Sequence, residues 1–125
     1  MSDLARLTER PAGTLRFGLA TIDMNGRVAD AALFRVLGWT TDTRLHIQTC
    51  TDLVVVADDR GVFRLRPPGH VRIPATAQHW CRLELGDRVL LAADPVNGLL
   101  VVHPPAVLEE LVGGLLRARF RDGGE

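Results

Sequence analysis

The sequence predicts a mainly β fold, a β-barrel built from two tandem β-α-β hairpin repeats and followed by a C-terminal helix. Three observations lead there. The first is the stretch Gly69-His70-Val71-Arg72-Ile73-Pro74-Ala75, followed about ten residues later by Leu85-Gly86-Asp87-Arg88-Val89-Leu90. Proline removes a backbone donor and ends the strand, a short helix follows, and Gly-Asp turns the chain into a second strand. The second is a fainter version about forty-three residues earlier: Gly26-Arg27-Val28, then Leu33-Phe34-Arg35-Val36-Leu37-Gly38-Trp39, then Thr43-Arg44-Leu45-His46-Ile47. The third is the helical spacing of Val107, Leu108, Leu111, Leu115 and Leu116 after Pro104-Pro105.

With 125 residues, 46% of them hydrophobic, the chain can bury one core or two small units that share one, which excludes two large domains. The expected organisation is a flexible lead-in over residues 1–14, a first repeat over 15–61, a second over 62–105, and a C-terminal helix and tail over 106–125. No apolar run approaches the roughly eighteen residues a membrane span requires. Met1-Ser2-Asp3-Leu4 also lacks the charged start and apolar core of a leader, so a cytoplasmic protein is expected. Net charge is zero, which weakens general polyanion binding but leaves room for a local basic face. All 15 cations are Arg, whose planar fork suits phosphate or carboxylate, although codon bias explains such usage equally well.

The elements follow in order. Residues 15–22 read as a strand weakened by Gly18, and Asp23-Met24-Asn25-Gly26 supplies hairpin-turn chemistry before Arg27-Val28 begins the return. Asp30 is placed to cap a short helix carrying Leu33, Val36 and Leu37 and ended by Gly38. Residues 45–49 and 53–57 form two strands around Thr51-Asp52, closed by the turn Asp58-Asp59-Arg60-Gly61. In Val62-Phe63-Arg64-Leu65-Arg66 the alternation sends Phe63 and Leu65 one way and Arg64 and Arg66 the other. Pro67-Pro68-Gly69 breaks that strand, residues 71–73 resume it, and a helix over 75–82 carries Trp80 on a buried face. Residues 88–93 and 99–103 make the closing hairpin across Asp94-Pro95-Val96-Asn97-Gly98. The final helix has Glu109 and Glu110 early and Arg117, Arg119 and Arg121 late, complementing its dipole, while Gly113-Gly114 costs about 1 kcal/mol per glycine and makes the helix depend on packing.

Aligning Gly26 with Gly69, with one gap near Ala29, brings Val28 onto Val71, Trp39 onto Leu83, Arg44 onto Arg88 and Leu45 onto Val89. A lone hairpin of this size cannot bury its apolar face, and joining two related ones removes bare edges as well. Trp39 and Trp80 are both expected in the core. Cys50 and Cys81 stand far apart, and reduced buried thiols are the favoured reading.

On these residues the second repeat resembles the AbrB/SpoVT/MazE family of swapped-hairpin DNA-binding domains, whose members carry a Gly-basic-Val-x-Ile-Pro strand, a short helix and a Gly-Asp-x-Val strand. The first repeat lacks Ile-Pro and Gly-Asp, and the tandem arrangement over residues 15–104 looks like that of MraZ-type relatives. The resemblance implies a swapped-hairpin barrel acting as a transcription regulator or as the antitoxin half of a toxin-antitoxin pair. It further implies contacts with double-stranded DNA from basic residues after the turn glycine and within the short helix. Those positions match Arg27 and Arg35 in the first repeat and His70 and His79 in the second.

Arg64, Arg66 and Arg72 lie on or beside the strand entering the Ile-Pro motif, where they could hold a duplex backbone without reading its sequence. The competing reading is that they keep a sheet face soluble or pair with Asp58, Asp59 and Glu84. No metal is expected, because His46, His70, His79, His103, Cys50 and Cys81 lack the close pairing of a structural zinc site. No cofactor and no enzyme activity are expected either, since no nucleophile elbow, phosphate-cradling loop or His-Glu-x-x-His occurs. Two functions stand: a homodimeric DNA-binding regulator, or an antitoxin-like or assembly module that binds a protein partner, a toxin or regulator, through its C-terminal helix.

Overall fold

The computed structural model describes residues 11–49, 53–67 and 69–123. The expected lead-in through residue 10, the Cys50 thiol, the turn at Thr51-Asp52 and Pro68 lie outside them. Local chemistry sets the short elements. Ahead of α1 (Ala31–Leu37), the Asp30 carboxylate accepts the Leu33 N–H at 3.1 Å. Gly38, at φ 73°, then closes the helix in the left-handed conformation. There the Gly38 N–H donates to the Arg35 carbonyl at 3.0 Å and the Trp39 N–H to that of Phe34 at 2.9 Å. After α2 (Ala75–Trp80) the same two bonds recur about forty-four residues further on, Arg82 to His79 at 3.2 Å and Leu83 to Gln78 at 2.8 Å. Arg82 has φ 54°, so a non-glycine residue takes the strained position that Gly38 takes in the first half.

Eight strands are present: β1 (Arg16–Thr21), β2 (Arg27–Val28), β3 (Arg44–Thr49), β4 (Leu53–Ala57), β5 (Phe63–Arg64), β6 (Val71–Arg72), β7 (Arg88–Asp94) and β8 (Leu99–His103). Six form an antiparallel sheet in the order β1-β7-β8-β4-β3-β5, and β2 pairs with β6. Both outer strands cross between halves. The first half's β1 pairs with β7 through Thr21↔Arg88 and Ala20↔Val89, and the second half's β5 pairs with β3 through Arg64↔Arg44 and Phe63↔Leu45. Exchanging the halves maps one ladder onto the other. The rungs Val28↔Val71 and Val54↔Val101 map onto themselves and mark where the halves meet.

Three expectations are corrected. About 33% of the described chain is strand and 29% helix, so the fold is mixed rather than mainly β; the 19-residue α3 (Pro105–Gly123) accounts for most of the helix. No closed barrel is found among the described residues, because the six-stranded order ends on β1 and β5. The physical reason is that β2, β5 and β6 have two residues each, cut short by glycine and proline, and give too few rungs to close the structure. The Arg27-Val28 return likewise pairs across to β6 instead of extending a hairpin with β1. Trp80 is the third correction. It is 73% exposed, whereas Trp39 is 7% exposed. Ile73, Ala77 and Cys81 stack inward at four-residue spacing, which rotates Trp80 off the buried face.

The core joins both halves through Ile22, Val28, Leu45, Val71, Ile73, Val89, Leu91 and Leu100. Gly61 packs on the Leu45 backbone so closely that an added Cβ would collide with the Leu45 carbonyl carbon and oxygen. Gly61→Ala is expected to cost about 1–3 kcal/mol, read as a lower urea midpoint. An unchanged midpoint would show that this approach is not required. Among the described residues no helix is long and apolar enough to cross a membrane.

Candidate nucleic-acid interface

Strand alternation and the β6 turn bring three of the expected cations together. Leu65 is buried and Phe63 packs on the core, which leaves Arg64 and Arg66 exposed on the other side. Arg72 projects between buried Val71 and Ile73. All three line one open groove of about 700 Å³, together with the polar side chains of Asn25, Thr41 and Gln78 and with no acidic residue. Gln78 is fixed there by donating to the Ile73 carbonyl at 2.8 Å.

Among the described residues Arg64, Arg66 and Arg72 make no ion pair or side-chain hydrogen bond. Pairing with Asp58, Asp59 or Glu84 therefore does not account for them; the Asp58 carboxylate instead accepts the Arg60 N–H at 2.9 Å. Sequence reasoning missed Arg44, which sits directly across the β3–β5 ladder from Arg64. Its signal was the alignment with Arg88, which marks it as an outward strand position. Like charges placed opposite one another cost a few tenths of a kcal/mol up to about 1 kcal/mol, so the fold retains them against its own stability.

The remaining candidates lie elsewhere. Arg27 stands opposite Arg72 but is engaged by Asp23, Nε to Oδ2 at 2.7 Å. The Arg27 backbone N–H, followed by its guanidinium and the Asn25 N–H, holds the Asp23 carboxyl below its usual range against some desolvation. Arg35 on α1 and His79 on α2 are exposed at matching positions of the two halves and do not line the groove. His70 is only 8% exposed, so its side chain is withdrawn from the surface. The halves are also electrostatically unlike, because the registers match Arg64 and Arg66 with Thr21 and Asp23.

Burial, reinforced by the Arg27 charge, keeps the His70 imidazole below its ordinary value of 6.5. As pH falls through 6.5 the unfolded chain takes up a proton that the folded chain resists, so stability present above that pH is lost toward the folded pKa. Urea midpoints should therefore fall on acidification below 6.5, and His70→Asn should flatten the fall. A slope unchanged in the variant would assign the effect to other groups.

Comparison of the chain with family models, curated proteins and solved structures gave no match.

Proposed function

We propose that this protein is a DNA-binding transcriptional regulator of the swapped-hairpin, AbrB-like type, holding duplex DNA through an arginine-lined face. The single observation carrying this reading is that Arg44, Arg64, Arg66 and Arg72 stand exposed and without carboxylate partners among the described residues, two of them opposed across a ladder. Arg44 and Arg64, opposed at some cost to folding, together with Arg66 and Arg72 call for an external anion of repeating charge, and a phosphate backbone supplies one. The exchange of β1 and β5 between halves supports the swapped-hairpin reading. With zero net charge, binding depends on this local field rather than on the whole molecule.

Fluorescence anisotropy with labelled duplexes over a salt series tests the reading. Four neutralised phosphates give a log–log salt slope of about −3.6. Absence of binding to any duplex at low salt would overturn it. A second reading, a protein-interaction module, is favoured by the exposed Leu111, Val112, Leu115, Leu116 and Phe120 on α3.

A further inference from the structure

The first turn of α3 is anchored, with Val107 and Leu108 half-buried and the helix packed on β7. Beyond it the helix stands clear of the body. Leu111, Val112, Leu115 and Leu116 continue the Leu108 stripe at helical spacing, and each is 46–57% exposed. On the edge strand β1, Phe17 and Leu19 are also exposed, 60% and 59%, cross-strand from Ala92 and Leu90 of β7, the strand on which α3 packs. Gly113 and Gly114 each cost about 1 kcal/mol relative to alanine, so the helix needs a partner to persist.

Charge identifies that partner. Glu109 and Glu110 occupy the first half of α3, and Arg117, Arg119 and Arg121 crowd its last two turns against one acid, Asp122. Parallel self-pairing would gather six guanidiniums at one end. Reversed self-pairing sets each acidic half against a basic half, which makes the helix complementary to itself and gives a closed twofold contact. At about 100° per residue Arg119 falls within the apolar stripe and Glu109 at its edge, while Glu110 and Arg117 fall on the opposite side. In a pair centred near Gly114, Glu109 and the partner's Arg119 stand at the same height.

We infer that α3 pairs antiparallel with α3 of a second copy of this chain, making the protein an isologous dimer. This stands apart from the DNA reading, since none of the groove residues takes part. Sedimentation velocity on the full chain tests it. The wild type should sediment as a dimer, and Leu111→Glu with Leu115→Glu should raise the dissociation constant about a hundredfold or more. Both positions are exposed, so the near-ultraviolet signal of buried Trp39 should be retained and show that the body stays folded. Glu109→Arg and Arg119→Glu should each weaken the dimer about tenfold, and the combined variant should recover most of that loss. A monomeric wild type, or a dimer indifferent to the leucine substitutions, would overturn the proposal. Failure of the combined charge reversal to recover affinity would overturn the antiparallel arrangement.

Discussion

Replacing Arg64, Arg66 and Arg72 together with Ala is expected to weaken duplex binding by about a hundredfold at moderate salt and to make the log–log salt slope shallower by about three. The three side chains line one groove and carry no carboxylate among the described residues, so each is available to displace a counterion from a phosphate. Folding should not suffer, because the change removes the Arg64 charge facing Arg44 and takes away no buried contact. Anisotropy titrations at several salt concentrations give the slope, and a urea melt on the same sample gives the stability. Arg60→Ala, at an exposed turn outside the groove, is the control. A slope unchanged in the triple variant would exclude these arginines as the phosphate-holding face.

Trp39→Ala is expected to lower the unfolding free energy by about 3–5 kcal/mol, whereas Trp80→Ala should stay within about 0.5 kcal/mol of the wild type. Gly38 turns the chain back so that Trp39 lies against Phe34, ring centroids 6.1 Å apart and planes 18° from parallel. On α1 only Leu33 and Phe34 are buried, so Trp39 stacked on Phe34 forms much of the helix's contact with the core. The Trp80 ring lies nearly perpendicular to that of His79 and is 73% exposed. Chemical denaturation of the two variants separates the cases, and equal losses would contradict the burial difference.

Features fixed by neighbours in the chain were legible in the sequence. Asp30 before a short apolar period and Gly38 after it gave α1, the Pro104-Pro105 step gave the start of α3, and the strands on either side of Asn97-Gly98 gave β7 and β8. Partners far apart in sequence were not. Nothing local says that Arg44 meets Arg64, or that Arg27 is matched to Arg72 and drawn off by Asp23, because those meetings follow from strands crossing between halves. Trp80 misled for a related reason. In a helix of six residues one position decides which side is inside, and hydrophobicity alone pointed to the largest side chain rather than to Ala77. His70 was a candidate contact through its match to the family's position after the turn glycine, and nothing local signalled the Arg66↔His70 bridge or the burial that accompanies it.

The crossing of β1 to β7 also orders events during synthesis. β1 leaves the ribosome about seventy residues ahead of Arg88, where β7, its sheet neighbour among the described residues, begins. Until then the nascent polypeptide carries an unsatisfied strand border, a vulnerability that chaperones or rapid translation would have to cover. β7 then takes up β1, and β8 follows to join β7 to β4, so the protein should acquire its stability late.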